Sequence, residues 1–419
     1  MKTKVIEFIR DLSDGGAETL VKEYVKLIDK QQFVLYVLTI RNFTNTAVYK
    51  QVREQGVEII SIYPKWNLAI KIFNKLFGKK YIDYRIRKII SEIEPNCIHA
   101  HLHTLDYLYR ISNSLGNIKL FYTCHSIPER YFGNAHVKQT KAAKYLIKKH
   151  GLRMIALHDD MKDELDQIFG VNNTITIKNG IDLNKYKISE TKQEIRDVLG
   201  IPREAFVVGN VGRFIEIKNH LFLIDIFNEV KKINMAAHLL LIGDGQLREA
   251  IQNKIRLLKL SDSVTILSHR DDVPRLMKAM DVFIFPSKVE GFGIVTIEAQ
   301  AAGLRCLISE AVPSSAYVSE LAIPMSLNAA ADGWANVALD RNAVSNYQNR
   351  IVEYDMNREI KKISEDIKTN TFKQFYLFYG EEKYMILQMK DQLKRALISE
   401  DDTMNYSYFE GKKVDPTEI

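Results

Sequence analysis

The stretch EGFGIVTIE, Glu290 to Glu298, sets two carboxylates around a glycine-bracketed phenylalanine and an apolar run. A strand-like run, DVFIFPS, ends just before it. This order predicts Glu290 in a loop, Gly291 and Gly293 at a helix N-terminus, and Glu298 at least one turn into that helix. Ionised carboxylates accept hydrogen bonds from paired hydroxyls, which sugars offer, and free N–H groups at a helix start suit an anion. One carboxylate can hold a hexose and the other a ribose, with a diphosphate between them. Two plainer accounts stand beside this one. Acidic residues are favoured in a helix's first turns by its dipole, and a carboxylate pair also serves acid–base hydrolysis.

Further candidates follow strand-like runs. In NVGRFIEIKNH, Arg213 and Lys218 suit a diphosphate, one as a planar fork and the other as a point charge. Solvated surface residues would read the same way. In FIRDLSDGGAETL, the adjacent Gly15 and Gly16 let backbone approach a ligand, or simply make a tight turn. Gly243 and Gly245, in LLLIGDGQL, repeat the strand–glycine–helix theme without an evident chemical role. His99, His101 and His103, in CIHAHLHT, alternate as strand residues on one face would, which resembles a metal cluster. No carboxylate or cysteine of obvious ligand spacing accompanies them, so no metal is expected.

Short apolar runs alternate with amphipathic helical patterns along most of the 419 residues, which predicts parallel α/β sheets. A polar stretch from Asn179 to Ala205 divides them into halves of about 1–185 and 186–365. Two doubly wound domains would face each other across a cleft at the carboxyl ends of their strands. Three scattered cysteines and no evident signal peptide point to the cytoplasm. A net charge of +7 is modest, but it concentrates locally. Lys65, Lys71, Lys75, Lys79, Lys80, Arg85, Arg87 and Lys88 interleave with Trp66, Ile70, Phe73 and Phe77. Such a helix fits an anionic membrane surface, and equally a core helix with a solvated face.

As a set, VFIFPSKVEGFGIVTIEAQAAG, the GGAE loop at 15–18, NGID at 179–182, VGRFIEIKNH at 211–220 and GDG at 243–245 resemble retaining glycosyltransferases of family 4. The resemblance covers about residues 1–365 and implies the GT-B fold, two Rossmann-like domains facing a cleft. RDDVPRLM at 270–277 is similar to the subgroup that builds capsular and extracellular polysaccharides. The resemblance implies a hexose moved from a nucleotide diphosphate donor, UDP rather than GDP, to a growing lipid-linked glycan at the inner face of the plasma membrane. Glu290 would hold the hexose, with Gly291, Phe292 and Gly293 beside it, and Glu298 the ribose. Arg213 and Lys218 would neutralise the diphosphate, so no metal or other cofactor is needed. Gly15 and Gly16 would approach the phosphate, and Ser268–Arg270, with His269 and Arg270, would border the base. His125, in FYTCHSI, matches an active-site histidine. A nucleotide-sugar epimerase of the same fold is the nearest alternative, and a lobe pair that binds without turnover is another.

The last residues, about 363–419, change character. FYLFYGEEKY and DTMNYSYFEGK resemble the start of the delta subunit of the bacterial DNA polymerase clamp loader. A foreign fragment at 366–419 without activity is expected, and no nucleic acid partner; a DNA-replication clamp-loader module, suggested by this tail only, is the alternative from another class.

Overall fold

The computed structural model describes residues 2–355 except Asp14, 65–67, 134–135, Val171 and His269. The clamp-loader-like tail therefore lies outside the described residues. Met1–Tyr354 form one compact unit.

Thirteen strands among the described residues form two wholly parallel sheets. The first contains β1 (Thr3–Ile9), β2 (Phe33–Arg41), β3 (Glu58–Tyr63), β4 (Cys97–His101), β5 (Lys119–Thr123), β6 (Arg153–Ala156) and β7 (Thr174–Thr176). Their order is β3-β2-β1-β4-β5-β6-β7. The second contains β8 (Val207–Val211), β9 (His238–Ile242), β10 (Val264–Leu267), β11 (Val282–Phe285), β12 (Arg305–Ser309) and β13 (Ala322–Met325), in the order β10-β9-β8-β11-β12-β13. These are two Rossmann-like α/β layers, as the alternating pattern predicts. Strand β13 escapes that pattern: it is short, carries Pro324 and sits at a sheet edge, where a missing N–H is tolerated.

Burial explains the runs. Every residue of β9 and β11 is buried, as parallel strands covered on both faces require. Both sheets reverse direction of growth beside their first strand, between β1 and β4 and between β8 and β11. Ligands of open α/β sheets bind outside the carboxyl ends at such points. The loops after β1, β8 and β11 carry Gly15, Arg213 and Glu290.

The basic aromatic segment forms a helix, Leu68–Ile93. Its C-terminal half is a core helix, with Ile82, Ile86, Ile89, Ile90 and Ile93 buried. Ile72, Phe77 and Tyr84 are exposed. Lys65 and Trp66 lie outside the described residues, as do the side chains of Lys71, Phe73 and Lys75. Among the described residues, no helix is long and apolar enough to cross a membrane.

Candidate active site

Glu290 and Lys218 meet directly. Lys218 Nζ lies 2.5 Å from Glu290 Oε1, and Ser287 Oγ donates to the same oxygen at 2.6 Å. The two side chains are only 10% and 16% exposed for Glu290 and Lys218. Lys218 ends a single 3-10 turn, Glu216–Lys218, and its ammonium lies 4.9 Å from the Phe285 ring centroid. Asn219 follows in the left-handed region and starts the helix His220–Ile233, which fixes the turn's direction. The loops after β8 and β11 are also tied by Lys288 N–H to Ile217 C=O at 2.7 Å.

Gly293, at φ 79°, caps the helix Ile294–Ala301, and a Cβ there would meet Val312 at 2.9 Å. Glu298 lies one turn into this helix, as its spacing predicts. Burial pushes its carboxyl up to about 7. A hydrogen bond with Tyr186 and the charges of Lys185 and Lys22 restrain that rise.

Arg213 is exposed and, among the described residues, its side chain makes no hydrogen bond or ion pair. Its loop rests on the GDG turn. Gly212 N–H donates to Ile242 C=O at 3.0 Å, Phe214 N–H to Asp244 C=O at 2.8 Å, and Leu247 N–H to Phe214 C=O at 2.9 Å. A Cβ on Gly243 would come within 2.0 Å of Gly212 O. The two glycines of the turn thus seat the cation's loop, a role their spacing alone does not reveal.

On the first sheet's side, Gly15 precedes the helix Gly16–Leu27. The Glu18 carboxylate folds back onto this turn: Ser13 Oγ donates to it at 3.2 Å, and a Cβ on Gly15 would stand 2.3 Å from Oε2. Burial raises the Glu18 carboxyl above its usual range, and the Arg213 charge from the other half pulls against this. A Cβ on Gly16 would meet nothing within 4 Å.

His125 follows β5, half-buried, with Nε2 2.9 Å from His101 Nδ1. Glu7, His99 and His101 cluster behind it. His101 Nε2 lies 2.8 Å and His99 Nδ1 3.0 Å from Glu7 Oε2, and His99 Nε2 is 2.8 Å from Thr123 Oγ1. These are hydrogen-bond distances, with the nitrogens directed at one carboxylate oxygen. The expectation of three histidines on one face is corrected here. Strand β4 ends at His101, Leu102 takes φ 56°, and His103 lies against Tyr131 instead, with ring centroids 5.0 Å apart. The carboxylate that spacing did not reveal is Glu7, in register with His99 on the neighbouring strand.

His158, not singled out by the sequence, joins the two halves. Its Nδ1 accepts from Met161 N–H at 3.2 Å, capping the helix Asp159–Phe169. That leaves Nε2–H to donate to Gly291 C=O at 3.2 Å. Its ring stacks on Phe292, which is buried rather than open to a ligand. A Cβ on Gly291 would lie 2.5 Å from His125 O and 2.7 Å from Ser126 Cα. Gly291→Ala is therefore expected to pry the loop from His125 and weaken nucleotide-sugar binding about tenfold or more, measured by calorimetric titration. Unchanged affinity in a folded variant would show that this contact does not matter.

Arg270 turns its fork to Asp272, at 2.7 Å through each of two nitrogens. It stands beyond the end of β10, and His269 lies outside the described residues.

Comparison with known proteins follows the same division. Residues 14–185 match the Glycosyltransferase Family 4 domain, and residues 191–322 match the Glycosyl transferases group 1 domain. The chain is 28% identical to the Bacillus subtilis protein named as glycosyltransferase EpsF, over 74% of this chain and 79% of that one. It is 27% identical to the Escherichia coli UDP-Gal:alpha-D-GlcNAc-diphosphoundecaprenol alpha-1,3-galactosyltransferase, over 53% and 59%. The crystal structure of Anabaena Alr3699/HepE in complex with UDP and glucose superposes with a TM-score of 0.69 at 21% identity, covering 88% of this chain and 100% of that one. The clamp-loader resemblance of the tail finds no support in these comparisons, and neither matched domain extends beyond residue 322.

Proposed function

Since this chain is a hexosyltransferase of the GT-B fold, we propose that it transfers a hexose, with retention, from a UDP-sugar to a growing lipid-linked glycan in polysaccharide synthesis. The observation that carries this reading is the Glu290–Lys218 pair at the start of the helix Ile294–Ala301. It places an acceptor for hydroxyls and a cation for phosphate side by side. The UDP and glucose in the HepE structure support the donor class, and the undecaprenol-linked substrate of the Escherichia coli relative supports the acceptor class.

In this mechanism Glu290 accepts hydrogen bonds from the hexose and Glu298 from the ribose. Arg213 and Lys218 stabilise the charge that grows on the leaving diphosphate as the bond to the anomeric carbon breaks. Fixed charges and N–H groups aimed at developing charge supply the largest share of such stabilisation, and no divalent metal is required. The acceptor hydroxyl attacks from the face the diphosphate leaves, and the departing phosphate oxygen takes its proton. Gly15 and Gly16 leave backbone close to that phosphate, and His125 bonds the hexose. The loop at Ser268, His269 and Arg270 borders the base. The exposed Ile72 and Phe77 with Lys79 and Lys80 suit the anionic surface where a lipid-linked acceptor resides. The chain would work at the inner face of the plasma membrane.

Water can stand in for the acceptor. Slow hydrolysis of an α-linked UDP-hexose, followed by proton NMR, is expected to release the α-anomer first. Initial release of the β-anomer would overturn retention while leaving the donor assignment intact.

A further inference from the structure

A buried chain of polar groups runs from His125 into the sheet, and the reaction described so far uses only its outer member. Glu7, on the central strand β1, is buried, and His101 beside it is fully enclosed. No water-exposed group is needed to complete the chain: Glu7 Oε2 to His101 Nε2 at 2.8 Å, then His101 Nδ1 to His125 Nε2 at 2.9 Å. The Tyr24 ring lies beside His99 and His101, with centroids 5.7 and 6.5 Å away. Thr123, the last residue of β5, meets the cluster through His99, with Thr123 Oγ1 2.8 Å from His99 Nε2.

The protons in this chain are fixed by elimination. Burial pushes the Glu7 carboxyl up, but the His99 charge and hydrogen bonds from His101 and His99 outweigh it and leave it at about 2. It is therefore an acceptor only, and His101 must donate to it through Nε2–H. Burial and the neighbouring His99 hold His101 down to about 4, against the pull of Glu7, so His101 is neutral and its Nδ1 bears a lone pair. His125 then donates through Nε2–H. Burial holds His125 well below its ordinary value too, so its Nδ1 carries no proton.

We propose that Glu7, acting through His101, is a positioning residue that locks His125 in the Nε2–H tautomer, so that His125 offers the hexose a hydrogen-bond acceptor at Nδ1 and never a donor or a cation. This rests on the donor-binding reading of His125 only for its purpose. A neutral acceptor can orient a hexose hydroxyl without setting a positive charge beside an anomeric carbon that itself becomes positive. A buried carboxylate orienting a histidine tautomer is a general device for this task.

The test needs no ligand. The full chain, labelled with nitrogen-15 in histidine only, would be examined by long-range nitrogen–proton NMR at neutral pH, with His101→Gln and His125→Gln used for assignment. The expected wild-type spectrum shows both His101 and His125 as neutral Nε2–H tautomers. Glu7→Gln should shift His125 to the Nδ1–H form or to a mixture, because an amide N–H facing His101 reverses the direction of donation. In a donor-hydrolysis assay the same variant should lose about tenfold in kcat with KM little changed. Glu7→Asp should restore part of it. In a His125→Gln background Glu7→Gln should cause no further loss. An Nδ1–H tautomer of His125 in the wild type overturns the proposal. So does an unchanged His125 signal in folded Glu7→Gln. Failure of nucleotide sugars to bind would sink the transfer reading instead, without moving these spectra.

Discussion

Lys218→Ala is expected to lower hexose transfer, or slow donor hydrolysis, by about 10²–10³-fold, the range for losing one preorganised group that stabilises a growing negative charge. The loss should fall on kcat more than on KM, because the diphosphate gains most of its charge as the glycosidic bond breaks. Folding suffers as well. Lys218 is the only cation paired with Glu290 among the described residues, and the carboxylate is nearly enclosed. Leaving it with only the Ser287 hydroxyl and no cation costs about 1–3 kcal/mol. Lys218→Ala with Glu290→Gln should recover that stability without recovering turnover. Thermal denaturation and initial rates on the two variants separate the effects. Equal turnover in wild type and Lys218→Ala would remove Lys218 from the mechanism.

Glu298→Gln should stabilise the protein above pH 7 and weaken the donor at the same time. The Glu298 carboxyl sits at about 7 in the fold against an ordinary value of 4.5. Between those values the folded chain holds a proton that the unfolded chain has lost, so wild-type stability falls as pH rises through this window. At about 1.4 kcal/mol per unit, the deficit above pH 7 is at most roughly 3.5 kcal/mol. Glutamine removes the charge, and this part of the pH dependence disappears. Binding runs the other way. An ionised Glu298 is the better acceptor for two ribose hydroxyls, so wild-type affinity for a UDP-hexose should rise as pH passes through 7. The glutamine variant should bind about tenfold or more weakly, with a flat profile. Parallel pH profiles for the two proteins would show that Glu298 does not touch the ribose.

The sequence is informative where position along the chain and position in space coincide. The loops of Arg213, Lys218 and Glu290 each follow an apolar run whose strand ends at the cleft, so motif and location are read together. Strand β13 is lost because four residues with a proline carry little periodic signal. His103 is misplaced because one residue, Leu102, leaves the extended region and breaks the alternation. The Glu7–His101–His125 chain is harder to see. It joins residues on three strands, β1, β4 and the end of β5, and only their register brings Glu7 opposite His99. His158 is hidden for a related reason, since its two hydrogen bonds serve a helix start in one half and a glycine carbonyl in the other. The GDG turn reads as punctuation until the Arg213 loop is seen resting on it.

The measurement that bears most directly on the whole account is a calorimetric titration of UDP, GDP and their hexose conjugates into the wild-type chain and into Arg213→Ala. The Arg213 side chain makes no hydrogen bond or ion pair among the described residues, so its removal breaks no such contact, although it also takes away a charge that lowers the Glu18 carboxyl. The account predicts selective binding of UDP and a UDP-hexose, weakened about tenfold or more in Arg213→Ala. Absence of binding by any of these nucleotides to the folded wild-type protein would contradict it.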